Sequence, residues 1–563
     1  MAESLSQIWL FLLGNSVVNN CSKFGDAEYP IVHTELGKIR GTTTFQTRLG
    51  ETIYSFRGIP YAEPPIGKRR FEPPSPVRPW GNNILDATKD GPVCPQPYRV
   101  SSEMGFTASE DCLQLNVYTK TISSTSKLPV LVFLHPGAYY KYSGISYFVG
   151  PEYLLDKDIV LVTINYRLGA LGFISTGDEF APGNNGLKDQ VMALRWVKQN
   201  IKAFGGDPNK ITLSGYSAGA LSVGLHLVSP MSRGLFQRAI SGSGSPLAEL
   251  KFTTNQLDLA IKQARLLDCP TNSSQEIIEC LRTKDAEDIS TTLDSFMEVG
   301  KEPSLIWHAV IEPEHSGEKF LTDDPNKLFY KGQFSKVPFM TGVTELEYAY
   351  GAYIVVANET LRNIWNENFS YPASLAFSYE KRSDSLNISQ ILRDFYLKDS
   401  AISIQTVDEF GKLYADGKIG FSVNRLANVV AKHSTVFYYK FSYNGTYSYF
   451  YSPFTNKTIG AVHQNDLIYL FTNRYENFPL FSVEDPESKI IDKMITLWTN
   501  FVIYGNPTPK RESVLDGVSW KPISENTEYY LNIDTTISLN EDLFPERYAL
   551  WEKQLFPLSG QFS

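Results

Sequence analysis

The residues best suited to chemistry lie together at Gly215-Tyr216-Ser217-Ala218-Gly219. This is a G-x-S-x-G pattern. A serine hydroxyl is a weak nucleophile until a neighbouring base takes its proton. The pattern meets that need when the serine sits on a sharp strand-to-helix turn that exposes its hydroxyl. The flanking glycines remove Cβ atoms that would clash in such a turn. A helix opening just after the serine would aim its N-terminus at the site and favour developing negative charge. Five residues of this kind also occur by chance, so the surrounding elements decide their meaning.

Those elements have the required order. Ile211-Thr212-Leu213 reads as a short strand before the motif, and Ala220 to Leu227 is helix-compatible after it. Upstream, the apolar runs 128–134 and 159–165 read as strands buried on both faces. Leu187, Val191, Leu194, Val197 and Ile201 recur at spacings of four and three, which predicts an amphipathic helix. Gly205-Gly206-Asp207-Pro208 is read as its stop. Strand, helix, strand in this order predicts a parallel sheet with right-handed crossovers. The expected class is α/β, an α/β-hydrolase fold with a large, mostly parallel central sheet and helices on both faces. No repeat or low-complexity linker divides the chain, so a single domain is expected over residues 25–563.

Composition narrows the setting. Hydrophobic residues make up 42% of 563 and charged residues 20%, ample for a globular core. The net charge is −9, and Lys68-Arg69-Arg70 is the one notable basic cluster, so no nucleic-acid partner is expected. No run of about 18 apolar residues predicts a spanning helix. The run Ile8 to Leu13 fits the core of a signal peptide, read over residues 1–24, although Glu3 precedes it and no A-x-A site follows. A frayed N-terminus is the alternative. Sequons at Asn20, Asn272, Asn358, Asn368, Asn387, Asn444 and Asn456 point to a glycosylated, secreted chain. With Cys21 in or beside the leader, four cysteines remain and three pairings are open. The sequential one, Cys94–Cys112 and Cys269–Cys280, closes two short loops, and disulfides need an oxidising compartment. The C-terminus, Leu558 to Ser563, carries no retention signal and no apolar tail for a membrane anchor. No metal or cofactor is expected.

Further segments carry a resemblance. They are Phe56-Arg57-Gly58-Ile59-Pro60-Tyr61-Ala62-Glu63-Pro64-Pro65, Glu110-Asp111-Cys112-Leu113-Gln114-Leu115-Asn116-Val117, Asn165-Tyr166-Arg167-Leu168-Gly169 and Phe204-Gly205-Gly206-Asp207-Pro208. From about Tyr29 to Leu555 the chain resembles the type-B carboxylesterases, the cholinesterase-like family, and insect carboxylesterases in particular. The resemblance implies a Ser-Glu-His triad. Its acid lies in a G-x-x-x-D-E-G segment, here Gly342-Val343-Thr344-Glu345-Leu346-Glu347-Tyr348, which points to Glu347. Leu346 and Tyr348 depart from that pattern, and Glu345 is the alternative. The base lies in H-x-D-[DE]-L, here His463-Gln464-Asn465-Asp466-Leu467, with Asn465 departing. His33, His135, His226, His308, His315 and His433 are read as structural. The oxyanion hole maps to Gly137, Ala138 and Ala218. Pro136 stands where the family has glycine and has no N–H to donate. Ser243 resembles the family's serine beside the triad, and Arg57 and Glu110 resemble an internal ion pair.

The resemblance implies hydrolysis of small-molecule carboxylic esters through an acyl-enzyme. Pro95 to Asp111 contains no Trp for a choline cation. Tyr216 stands where juvenile hormone esterases usually carry Gln. Tyr139, Tyr140 and Trp307 are read as core or as the wall of an apolar gorge. Detoxification or metabolism of xenobiotic, dietary or semiochemical esters is the leading expectation. A slow stoichiometric scavenger, motivated by Pro136, a juvenile hormone esterase-like activity and a non-catalytic adhesion relative are the alternatives.

Overall fold

The computed structural model describes residues 29–97, 107–248, 252–314 and 317–555. The expected signal peptide at 1–24, with Asn20 and Cys21, lies outside the described residues, as does His315. The strands are β1 (Ile31–Thr34), β2 (Gly37–Arg40), β3 (Thr42–Gln46), β4 (Thr52–Pro60), β5 (Gly81–Asp86), β6 (Gln114–Thr119) and β7 (Leu128–Leu134). They continue with β8 (Val160–Ile164), β9 (Gly206–Tyr216), β10 (Arg238–Gly242), β11 (Phe339–Thr344), β12 (Val436–Phe441), β13 (Tyr529–Ile533) and β14 (Ser538–Glu541).

Among the described residues, eleven strands form one sheet in the order β14-β13-β12-β11-β10-β9-β7-β8-β6-β4-β3. From β8 to β13 each neighbour pairs in parallel. The outer strands pair antiparallel at both ends. A small sheet, β1-β2-β5, packs beside them. The central strands β8 and β11 are buried along their whole length, as a sheet covered on both faces requires.

Alternation along the strands feeds two cores. Val130, Val132 and Leu134 of β7 join one apolar cluster, while Leu131 and Phe133 join the other. The first cluster contains the predicted stripe Leu187, Val191, Leu194, Val197 and Ile201, on the helix Asn185–Asn200 and the turn after it. The second contains Ile490, Ile491, Met494 and Leu497 of the helix Ser488–Tyr504. Helices thus cover both faces, and the fold is that of an α/β-hydrolase. No helix among the described residues is long and apolar enough to cross a membrane.

One boundary differs from the sequence reading. Gly205, at φ 82, ends the helical turn, but β9 then begins at once and includes Asp207 and Pro208. Pairing of Leu128 with Gly206, followed by a bulge before Val130, accommodates the proline at this strand end. The disulfides join Cys94 to Cys112 and Cys269 to Cys280.

The carboxyl edge of the sheet gathers the functional loops. β7 leads into 135–139, β9 into Ser217, β10 into Ser243, β11 into Glu347, and His463 follows β12. At the turn after β9 the backbones nearly touch. A Cβ on Gly219 would lie 2.1 Å from the Leu134 carbonyl oxygen, and one on Gly215 would lie 2.2 Å from that of Gly219. Gly219→Ala is therefore expected to push the helix Ala218–Val228 away from β7, at a stability cost of about 1–3 kcal/mol. Chemical denaturation together with ester turnover checks this: both should fall, and an unchanged midpoint would contradict the close approach.

Candidate active site

Ser217 is the residue between β9 and the helix Ala218–Val228, with φ 55 and ψ −118. A non-glycine residue rarely adopts such a conformation, and it persists only where the surroundings enforce it. Here the Ser217 N–H donates to the Gly242 carbonyl (2.9 Å), and a Cβ on Gly244 would meet the Ser217 carbonyl at 2.3 Å. The serine is thus held between the ends of β9 and β10. Its side chain lines a pocket with Ala138, Leu221, Leu305, Phe377 and Ile419.

Ala138 and Ala218 line the same pocket, and Gly137 precedes Ala138 in the loop after β7. Among the described residues no hydrogen bond takes up the N–H of Gly137, Ala138 or Ala218. Gly137 has φ 121, and a Cβ there would lie 2.0 Å from the Lys141 carbonyl oxygen, so this position requires glycine. Its carbonyl closes the turn by accepting from Tyr140 and Lys141. Pro136 occupies the preceding position, and its missing N–H is not one of the three. The His135 ring stacks on Tyr166 at 4.4 Å, and its Nδ1 is 2.7 Å from the Pro136 carbonyl oxygen. Burial lowers its pKa to about 4, so it stays neutral.

Glu347 and His463 come from adjacent loops. His463 Nδ1 lies 2.5 Å from Glu347 Oε2, with both side chains 1% exposed. Glu347 Oε1 accepts from the Thr344 N–H at 2.9 Å. His463 Nε2 makes no hydrogen bond within the described residues. The imidazole lies between two rings: Tyr216, just before the serine, at 5.2 Å, and Tyr348, just after the acid, at 4.4 Å. Glu345 points elsewhere, accepting from Lys440 Nζ at 2.9 Å. The departing residues have local roles. Leu346 bridges to Val462 and packs over Gly460, tying the acid's loop to the base's loop. Asn465 fastens that second loop through Ser448, the Tyr449 N–H and the Gly460 carbonyl.

Three residues beyond His463 lies a group to which the sequence reading gave no role. Asp466 is fully buried. Burial pushes its carboxyl up to about 7, the Glu347 charge adds to the rise, and the Tyr216 and Tyr439 hydroxyls oppose it. Tyr439 donates to Oδ2 at 3.3 Å, and the Tyr216 hydroxyl accepts from the Gln464 N–H at 2.9 Å. Ser243 faces the same Tyr216 hydroxyl. The [DE] of the histidine segment was the available signal, but its burial was not readable from one segment.

Arg57 does not pair with Glu110. Arg57 sits at a bulge within β4, where it bonds Asp90 at 3.0 Å and lies over Phe45, while Glu110 accepts from Nε and Nη2 of Arg70. Tyr139 is core, packed on Phe173 with its hydroxyl 3.0 Å from that of Ser222, and Trp307 is core against Phe296. His226 is bonded to Ser232 and Gln190, and His308 lies 2.9 Å from the Ala309 carbonyl oxygen, so both serve packing. The sequon residues Asn272, Asn358, Asn368, Asn387, Asn444 and Asn456 are all exposed.

Comparison with known proteins agrees with this architecture. The model of the carboxylesterase family matches residues 28–551. The chain is 38% identical to juvenile hormone esterase of Tribolium castaneum over 85% of this chain and 84% of that one. It is 38% identical to esterase FE4 of Myzus persicae, over 88% and 87%. The crystal structure of juvenile hormone esterase from Manduca sexta, with OTFP covalently attached, superposes with a TM-score of 0.78 at 30% identity, covering 91% of this chain and 96% of that one. The chain belongs to the carboxylesterase family. It is a serine carboxylic-ester hydrolase acting on small-molecule esters.

The Asp466 carboxyl has a stability consequence. Its folded pKa is raised, so the folded state holds this proton more tightly than the unfolded one. Its contribution is full below about pH 4 and is lost as pH rises through about 7. Asp466→Asn should therefore gain thermal stability relative to the parent between pH 5 and pH 8. Melting curves of both proteins at the two pH values test this, and a pH-independent difference would contradict it.

Proposed function

We propose that this esterase works through Ser217, His463 and Glu347, and that it cleaves esters bearing compact apolar groups. His463 Nε2 takes the Ser217 proton as Oγ attacks the ester carbonyl. The Gly137, Ala138 and Ala218 N–H groups receive the oxyanion, each worth about 2.7–4 kcal/mol of barrier. The alcohol departs with the proton from His463. Water, deprotonated by the same nitrogen, then releases the acid. Glu347 keeps Nδ1 protonated and stabilises the imidazolium. The observation that carries this reading is the buried His463–Glu347 bond, with Nε2 unpaired among the described residues and the imidazole 5.2 Å from the ring of Tyr216, the residue before the strained Ser217.

The pocket's Leu305, Leu375, Phe377 and Ile419 favour an apolar acyl or alcohol group. Xenobiotic, dietary or semiochemical esters fit that chemistry. Secretion with glycans on the exposed asparagines accords with the two disulfides. The similarity to juvenile hormone esterases favours, as a second reading, a juvenile hormone esterase-like activity. Pro136 supplies none of the three proposed donors, which weighs against the scavenger reading.

A rapid-mixing time course with p-nitrophenyl butyrate, run beside Ser217→Ala, tests the mechanism. Sustained turnover is expected, falling on the order of 10⁴–10⁶-fold in the variant. A single burst near one equivalent would instead favour the scavenger, and equal rates would remove Ser217 from the mechanism.

A further inference from the structure

Tyr348 stands where the carboxylesterase pattern has glycine, directly after the acid. Its backbone has φ 23, on the left-handed side that glycine occupies freely and a bulky residue rarely does. A tyrosine held there needs a reason among its contacts, because strained residues gather at functional sites. Its ring centroid lies 4.4 Å from the His463 imidazole and 5.3 Å from the Tyr350 ring. Its hydroxyl lies near those of Ser217 and Tyr350, and Tyr348 and Ser217 line one pocket. The half-buried side chain forms part of the wall of the pocket that contains Ser217, Leu305 and Phe377. Burial pushes the phenol up to about 12, so it remains a neutral donor and acceptor at physiological pH.

We propose that Tyr348 is a specificity-determining residue: its ring closes the His463 side of the pocket at Ser217 and selects against branched or bulky ester groups, while its hydroxyl orients the Ser217 hydroxyl. Glycine at this position would leave that wall open by the volume of an aromatic side chain. The ring is braced from behind by Tyr350, which itself packs 5.5 Å from Phe450, so it does not swing aside freely. The ring and the hydroxyl have separable effects. The ring sets which groups fit, and the hydroxyl sets how often Ser217 is poised for attack. This inference rests on Ser217 and His463 being nucleophile and base.

Two variants separate the effects. Tyr348→Gly removes ring and strain together, and Tyr348→Phe removes the hydroxyl alone. Each is compared with the parent on p-nitrophenyl acetate against p-nitrophenyl pivalate, for the acyl group. Phenyl acetate against 1-naphthyl acetate does the same for the alcohol. Rates are normalised to the active-site burst. Tyr348→Gly should shift at least one bulky-to-small ratio of kcat/KM by about tenfold or more toward the bulky ester. Tyr348→Phe should keep both ratios near the parent's and lower kcat with little change in KM. If Tyr348→Gly does not fold, Tyr348→Ala and Tyr348→Leu should grade the same shift by side-chain size. Ratios unchanged in the ring-removing variants would overturn the proposal alone. Turnover persisting in Ser217→Ala would overturn the triad reading and the proposal with it.

Discussion

The site depends on a close approach of backbones that only glycine allows. Ser217 holds φ 55 and ψ −118 because β9 must turn into a helix within one residue, while lying against β7 and the end of β10. Gly215, Gly219 and Gly244 each stand where a Cβ would come within 2.3 Å of a carbonyl oxygen. The same contact brings Leu134, the last residue of β7, against the first turn of the helix. The loop that follows Leu134 carries Gly137 and Ala138. One constraint thus places Ser217, the first N–H groups of the helix and the start of the loop that carries Gly137 and Ala138 together, before any side chain is considered.

Glu347 and His463 are placed by a second, weaker device. Their loops leave neighbouring parallel strands and are tied by the bridge between Leu346 and Val462 and by the contacts of Asn465. Burial then governs the charges. Glu347 is kept in a buried site by two donors, one from the backbone and one from His463. Asp466, close enough to feel the Glu347 charge, binds its proton more readily instead.

Much of this was legible in the chain, and the physical reasons are specific. The serine turn could be read because its motif is local and its flanking strand and helix have short-range periodicity. The stripe from Leu187 to Ile201 could be read for the same reason. The acid and base came from resemblance, since 116 residues separate Glu347 from His463 and no periodicity links them. What escaped was relational. Arg57 reaches Asp90 rather than Glu110 because a bulge in β4 turns it toward the loop after β5. Tyr348 read as a departure from a pattern, and its place against His463 emerged only once two distant loops met. The early start of β9 depended on a pairing partner in β7 that the glycine and proline punctuation did not reveal.

The most direct test of the account is covalent labelling with a fluorophosphonate probe, followed by peptide mapping of the modified protein. The account predicts one equivalent of label on the peptide containing Ser217, and loss of that label in His463→Ala. Label on another serine, or undiminished labelling of Ser217 without His463, would contradict the claim that this strained serine is activated by that histidine.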